Sequence, residues 1–194
     1  MSRATLLSLA LFAACAGETQ TARREAVFRG YVAAVNSHDV SKALAFHTSD
    51  PEFVILGQPP IRGRDAMRSL LQWDSVLNSH IRMEPSRWLG DTLILKAGSE
   101  RNAWFEGIGL DSIRYSAGTR IVYQGDRIKE VHPSDLVPQS AAEFQAKAEA
   151  FFRWAQTNAP EVAQLAPGGS FKYDRGSAAV WLQVLQRYGE RDAR

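Results

Sequence analysis

The 194-residue sequence lacks most of the signatures that mark a specialised chemistry. It holds a single cysteine, Cys15, so an internal disulfide is excluded. Glycine-rich phosphate loops, nucleophile elbows and His-Glu-x-x-His motifs are all missing. The four histidines show no metal-ligand spacing, so no metal site is expected. The sequence therefore predicts no cofactor. It also gives no support for a nucleotide-binding P-loop enzyme, a serine hydrolase with a nucleophile elbow or a zinc protease.

Charge of one sign and long apolar runs are missing as well. Lys and Arg number 23 against 21 Asp and Glu, and the formal net charge is +2. Nucleic-acid interfaces need a clustered basic patch, so nucleic acid is not an expected partner. After the N-terminus, no stretch approaches the roughly 18 apolar residues that a membrane-spanning helix needs. With 45% hydrophobic residues, the chain can build the core of a globular domain.

The N-terminus has the pattern of an export signal. Met1–Arg3 brings one positive charge, 4–14 is mostly apolar, and small residues precede Cys15. The four residues Phe-Ala-Ala-Cys that end at Cys15 resemble a bacterial lipobox, with Phe12 in place of the usual leucine. In that motif the cysteine is acylated, with palmitate for example, and becomes the mature N-terminus.

Two processing outcomes fit this signal. Lipidation would make 1–14 a signal peptide and 15–22 a lipidated tether that anchors the protein in the cell envelope. In a Gram-negative cell the outer membrane is expected, because no aspartate follows Cys15. The triplet Ala14-Cys15-Ala16 also fits ordinary cleavage, which would give a soluble secreted or periplasmic protein. We expect lipidation, because the apolar stretch is short and the cysteine directly follows it.

Apolar periodicity predicts helices first and strands afterwards. Helical spacing is found over 23–36 and from about 63 to 77, and Asp39 can cap a short helix between them. Strands are predicted over 53–56, 80–89, 92–97, 113–124 and 126–132. This order predicts an α+β fold in which helices cover one face of an antiparallel sheet.

Two further helices are predicted after Pro138. The pattern Ser140-Ala141-Ala142-Glu143 is typical of a capping box, and Ser177 is placed to cap the last helix. Residues 137–194 are therefore predicted to form a helical extension. Its aromatic content predicts that the extension packs on the preceding domain.

Segments of residues 23–136 resemble a nuclear transport factor two-like domain of the SnoaL-like kind. The matching segments, in this order, are 36–39, 50–53, 61–66 and 125–131. The resemblance implies a curved antiparallel sheet wrapped around helices, which forms a cone with an apolar pocket. Proteins of this kind include isomerases, dehydratases, polyketide cyclases and binding modules without catalysis, so the fold does not fix the function.

The closing strand carries the best candidate pair for catalysis. Side chains alternate along a strand, so Ile128, Glu130 and His132 share one face, with Glu130 and His132 about 7 Å apart. If this face lines the cone, the carboxylate could orient the histidine for proton transfer. In the alternative, Val131 points inward and the pair faces water. His47, on the apolar side of the second helix, is either a packed histidine or a base at the pocket rim.

Aromatic residues are the candidates for the pocket walls. The ligand-binding candidates are Trp73, Trp88, Trp104 and Tyr115, although aromatics of this kind also pack in cores. The leading hypothesis is a lipid-anchored module that binds a small apolar or amphipathic ligand without catalysis. A second hypothesis is a SnoaL-like isomerase, dehydratase or cyclase that uses acid–base chemistry without a cofactor. A third is a homodimerisation module with a vestigial pocket.

Overall fold

The computed structural model describes the backbone of residues 3–191 and the side chains of residues 20–191. The helices of this part are α1 (Arg3–Asn36), α2 (Val40–Ala45), α3 (Arg64–Val76), α4 (Ala103–Gly107), α5 (Pro138–Asn158), α6 (Val162–Leu165) and α7 (Arg175–Glu190). The strands are β1 (His47–Phe53), β2 (Ile61–Arg62), β3 (His80–Leu89), β4 (Thr92–Arg101), β5 (Ile113–Tyr115), β6 (Arg120–Gln124) and β7 (Arg127–His132).

The seven strands form one curved sheet that does not close. The strand order is β2-β1-β7-β6-β4-β3, and β5 pairs with β4 beside this path. The pairing of β1 with β7 is parallel, and every other pairing is antiparallel. The predicted α+β class with its C-terminal helices is confirmed. One pair departs from the antiparallel arrangement: β7 ends the meander beside β1 and runs in the same direction as β1.

The first hydrophobic core fills the space between the sheet and helices α1 to α3. Each of these elements contributes the side chains of one face, and together they leave almost no exposed surface. The buried set includes Phe28, Tyr31, Val35, Leu44, Met67, Leu70, Leu71, Leu93, Leu95, Ile121, Tyr123, Ile128 and Val131. The periodic spacing along α1 and α3 therefore identifies the faces that bury apolar area.

A second hydrophobic core joins the C-terminal helices to α3 and α4. Trp104 lies at its centre, with ring contacts to Phe105, Phe144, Phe151, Phe152, Phe171 and Trp181. Phe151 of α5 and Trp181 of α7 are completely buried here. The extension thus packs on α3 and α4 through the face of each helix that the apolar spacing indicates.

Strand β1 differs most from the sequence prediction. It begins at His47 and passes through Pro51, whereas a strand over 53–56 was expected. The pairing with β7 jumps from His47↔Ile128 to Glu52↔Glu130, so the intervening residues bulge away from β7. A proline is tolerated in such a bulge because no ladder hydrogen bond needs its missing N–H.

Three helix ends also differ from their predictions. Helix α1 extends back to Arg3, and 4–22 contains no proline that would interrupt it. Helix α5 begins at Pro138, and the hydroxyl of Ser140 accepts a hydrogen bond from the Arg114 N–H at 3.0 Å instead of capping. Asp174 caps α7, and Ser177 is its capping-box partner. Asp39 caps α2 as predicted.

The N-terminal predictions concern residues whose side chains lie outside the described part. Cys15 belongs to the backbone of α1, and its side chain is not among those described. Export, cleavage and lipidation at this residue stay predictions. Among the described residues, no helix has the length and apolar character needed to cross a membrane.

Phe151→Ala should destabilise the protein by about 3–5 kcal/mol, because it removes a fully buried ring from the second core. Urea unfolding followed by circular dichroism measures the change. Leu89→Ala is the control, since Leu89 is 55% exposed and its loss should cost less than about 0.5 kcal/mol. A cost below about 1 kcal/mol for Phe151→Ala would contradict a core that extends into the C-terminal helices.

Candidate active site

The pair Glu130 and His132 lies on the outer face of the sheet. The two side chains form a hydrogen bond of 2.9 Å between Glu130 Oε2 and His132 Nε2, and both are half-buried. Val131 is 2% exposed and points into the core together with Ile128. Of the two alternatives for this pair, the structure therefore shows the one in which Val131 points inward. Ile128 does not share the face of Glu130 as expected, because a bulge at Lys129 puts one extra residue between the two inward positions.

His47 is a packed histidine in the core. It is completely buried, and its ring meets Tyr31 edge-on with 5.1 Å between the ring centroids. Burial, reinforced by the charge of Arg64, lowers the pKa of His47 to about 4. The ring is consequently neutral at neutral pH, and no part of it reaches a pocket rim. The interpretation as a rim base is not supported.

The four aromatic ligand-binding candidates lie in different parts of the structure and do not form one pocket wall. Trp73 and Trp104 are buried in the second core, and Trp88 packs against Tyr123 with 5.3 Å between ring centroids. Tyr115 is half-buried, and its hydroxyl bonds to a carboxylate inside the cone. Tyr115 is thus the one candidate of the four for which the structure gives a contact with an acidic group.

Two carboxylic acids, Asp74 and Glu100, face the inside of the cone. Asp74 lies on the apolar side of α3, three residues before Leu77 and four after Leu70. Glu100 of β4 is directly opposite Ile81 of β3 and Ile113 of β5. Directly opposite residues share a face of a sheet, so Glu100 points the same way as these apolar side chains.

Hydrogen bonds orient the Glu100 carboxylate firmly and the Asp74 carboxyl group weakly. Tyr115 donates its hydroxyl to Glu100 Oε2 at 3.2 Å, and Asn102 donates its amide to Oε1 at 3.0 Å. For Asp74 the partner is the Ser79 hydroxyl, which donates at the long distance of 3.4 Å. Both oxygens of Glu100 therefore accept a bond from a positioned neutral donor.

The two acids differ in how strongly they hold a proton. Burial raises the pKa of both, and the charge of Glu100 raises the pKa of Asp74 further. On Glu100 the bonds from Tyr115 and Asn102 act in the opposite direction, because they stabilise the ionised form. When the pair holds one proton, these contacts favour it on Asp74 and leave the charge on Glu100. Such a pair contains a proton donor and a proton acceptor side by side.

Three tyrosines from separate elements surround the two acids. Burial raises the pKa of Tyr31, Tyr115 and Tyr173, and the charges of Asp74 and Glu100 raise each of them further. The hydroxyls thus stay protonated and are available as hydrogen-bond donors. Asp74, Glu100 and Tyr115 keep part of their surface exposed although burial dominates their pKa. The two acids and Tyr115 are therefore partly accessible from outside the fold.

Tyr173 reaches the neighbourhood of the acids from the C-terminal extension. The strap of residues 167–174, which precedes α7, is held by Gln58. Its side-chain amide donates to Gly169 O at 3.2 Å and accepts from the Phe171 N–H at 2.7 Å. Tyr173 meets Trp73 edge-on, with 5.3 Å between ring centroids, and touches both hydrophobic cores. The extension therefore contributes a wall of the site.

No metal centre is found in the part of the chain whose side chains are described, where no three His, Cys, Asp or Glu residues cluster suitably. Two surface depressions lie away from the acids. One, of about 490 Å³, runs along the exposed side of α5, with Phe144, Ala148 and Phe152 among its lining residues. The other, of about 460 Å³, is lined by residues of β1, β6, β7 and the start of α3.

Asp74→Asn should stabilise the protein at pH 8 and change little near pH 3.5. Because the pKa of Asp74 is raised in the folded state, the folded protein keeps a proton that the unfolded chain releases. Stability therefore falls as the pH rises from the ordinary carboxyl pKa to the raised pKa of Asp74. Each unit of difference corresponds to about 1.4 kcal/mol. Urea unfolding at both pH values tests this, with the exposed Asp126→Asn as control. A loss of stability at pH 8 alone would show that an ionised Asp74 supports the fold.

Comparison with known proteins finds likeness in structure alone. No family model and no curated protein sequence matches the chain. The solved structure of SalBIII, described as an epoxide hydrolase/cyclase-like enzyme in pyran ring formation, aligns with a TM-score of 0.53 and 14% identity. The alignment covers 62% of this chain and 95% of SalBIII. A nuclear transport factor two-like protein from Burkholderia xenovorans gives a TM-score of 0.47 at 18% identity, covering 62% and 94%. The likeness to SalBIII shows a shared fold.

Proposed function

We propose that the cone binds a small, largely apolar molecule and catalyses proton transfer on it without a cofactor. The observation that carries this proposal is the pair of half-buried acids, Asp74 and Glu100, with three tyrosines near them. Glu100 would remove a proton from the attacking hydroxyl, from water or from a carbon acid. Asp74 would donate a proton to the substrate oxygen that becomes negative. Tyr31, Tyr115 or Tyr173 would then bind that oxygen.

The acids favour catalysis over a pure binding module. A pocket that only binds an apolar ligand needs apolar walls and one polar contact. Two carboxyl groups in such a place destabilise the fold, because each ionised form loses its hydration. Their presence at facing positions of α3 and β4 is explained if their protons are used. This observation favours the acid–base hypothesis over the ligand carrier that the sequence led us to expect.

Ring opening of an epoxide is a suitable test reaction. It needs a base for the nucleophile and an acid for the leaving oxygen at the same time, and water or an internal hydroxyl serves as the nucleophile. SalBIII, which has the same fold, is described as an epoxide hydrolase/cyclase-like enzyme. The assay offers small apolar epoxides and scores diol formation. A second assay offers β,γ-unsaturated ketones and scores their isomerisation.

Glu100→Gln and Asp74→Asn should each lower kcat/KM by about 10²–10⁴-fold, the usual contribution of a positioned acid or base. Glu130→Gln is the matched control, since Glu130 is a carboxylate beside a histidine on the outer face of the sheet. It should keep full activity. Wild-type protein that accelerates neither reaction would refute catalysis on these substrates. Equal losses in Glu100→Gln and Glu130→Gln would refute the assignment to the inner pair.

We further propose that the protein is exported and anchored to a membrane through acylated Cys15, as the sequence predicts. Support comes from the apolar stretch that ends in Ala13-Ala14-Cys15. Cells fed radiolabelled palmitate should label the wild-type protein and not Cys15→Ala, and only the wild type should sediment with membranes. Equal labelling of both proteins, or a wild type that is fully soluble, would contradict the anchor.

A further inference from the structure

A polar pocket opens where β1 bulges away from β7. Its volume is about 460 Å³, and its lining consists of Thr48, Ser49, Arg64, Gln124 and Arg127. The lining side chains come from the bulge itself, from the first residue of α3, and from the hairpin that joins β6 to β7. None of them belongs to the acid pair or to its ring of tyrosines. The pocket is therefore separate from the site proposed for catalysis.

Backbone carbonyls hold the two guanidinium groups in place. Arg64 donates from Nη1 to Thr48 O at 3.3 Å. Arg127 donates from Nη1 to Ala45 O at 3.1 Å and to His47 O at 3.3 Å. A guanidinium has five N–H groups, and these bonds use one nitrogen of each. The remaining N–H groups of both arginines are left for another acceptor.

Positive charge in this pocket is not neutralised within the described part of the chain. Neither Arg64 nor Arg127 has a carboxylate within ion-pair distance among residues 20–191. The nearby acids bind other cations, in the pairs Asp50–Lys129 at 2.7 Å, Glu52–Arg62 at 2.9 Å and Asp126–Arg23 at 3.1 Å. Asp65 is exposed and does not line the pocket. The two guanidinium groups are therefore available to pair with a bound anion.

Hydrogen-bonding groups beside the arginines also lack partners. Thr48 is 6% exposed, and its buried hydroxyl makes no hydrogen bond. A buried hydroxyl without a partner destabilises the fold. Helix α3 begins at Arg64, a lining residue, and has no side-chain cap, so the positive end of its dipole lies at the edge of the pocket. A negatively charged oxygen atom could accept a hydrogen bond from the Thr48 hydroxyl and would be attracted to the N-terminal end of α3.

We propose that this pocket binds a small oxyanion, a phosphate or a carboxylate group, between Arg64 and Arg127. The planar guanidinium groups contact the anion through their remaining N–H groups, as arginine does with phosphate and carboxylate elsewhere. Thr48, Ser49 and Gln124 complete the contacts around the anion. The anion is either free in solution or the charged group of a lipid.

Titration calorimetry and thermal unfolding with inorganic phosphate and with acetate test the site, with potassium chloride at equal ionic strength as reference. One of the two anions should bind and raise the Tm with its concentration. Arg64→Met and Arg127→Met should each weaken that binding about tenfold or more, since a charge-assisted hydrogen bond is lost. Arg68→Met is the matched control, because Arg68 lies one turn further along α3 and is exposed.

Two further variants keep the test decisive if a methionine variant does not fold. Arg127→Lys keeps a cation near the backbone carbonyls but loses the planar fork, and Thr48→Val keeps the shape but loses the hydroxyl. Both should bind the anion more weakly than the wild type. Equal stabilisation by phosphate, acetate and chloride would overturn the proposal. So would binding that persists in the arginine variants.

Vesicles decide between the two sources of the anion. Vesicles with phosphatidylglycerol should capture the wild type and not Arg64→Met or Arg127→Met if the anion is a lipid phosphate, and phosphatidylcholine vesicles are the reference. Phosphate or acetate binding without vesicle capture assigns the site to a free anion. The anion-binding result is independent of the epoxide assay. A protein that fails to open epoxides can still bind the anion, because the pocket shares no residue with the acid pair.

Discussion

The orientation of the Glu100 carboxylate depends on the side chain of Asn102, which also caps the N-terminus of α4. Asn102 donates to Glu100 Oε1 through its amide nitrogen, while its amide oxygen accepts from the Phe105 N–H at 3.0 Å and caps α4. Helix α4 carries Trp104, the centre of the second core. Through Asn102, the orientation of the acid is tied to the packing of α5 and α7. A change in the packing of Trp104 would therefore reach Glu100 through Asn102.

This dependence gives the C-terminal extension a place in the site as well as in the core. The extension packs against α4 through the rings around Trp104. It also places Tyr173 against Trp73 and near the two acids. The strap that carries Tyr173 is fixed by two bonds to a single side chain, Gln58 of the loop after β1. The domain of residues 23–136 would lack this wall by itself, so the acids would meet water more freely and their pKa values would return toward ordinary ones.

The sequence predicts the fold better than the site. Periodicity locates the buried faces of α3 and α7, because burying apolar area decides both the pattern and the packing. The signal for Asp74 is present, since an aspartate stands on the apolar side of α3 between Leu70 and Leu77, where a solvated residue has no place. Tyr173 carries no comparable signal. Its position results from its contact with Trp73 and from the bonds of its strap to Gln58, over separations of at least 100 residues, which no local pattern encodes.

Bulges explain why strand alternation gives the wrong faces. In β4 an extra residue at Lys96 shifts the inward series from Leu93 and Leu95 to Gly98 and Glu100. In β7 the extra Lys129 turns Val131 inward and leaves Glu130 on the outer face.

A shift of one residue exchanges the two faces of a strand. Regular alternation counted from Leu95 would therefore put Glu100 on the solvent side, and alternation counted from Ile128 would put Glu130 inside the cone. The bulge in β1 is longer and opens the arginine-lined pocket instead. A bulge bends the strand that contains it and increases the local twist of the sheet. The irregularities that hide the site from the sequence are therefore also the means by which the sheet wraps around its helices.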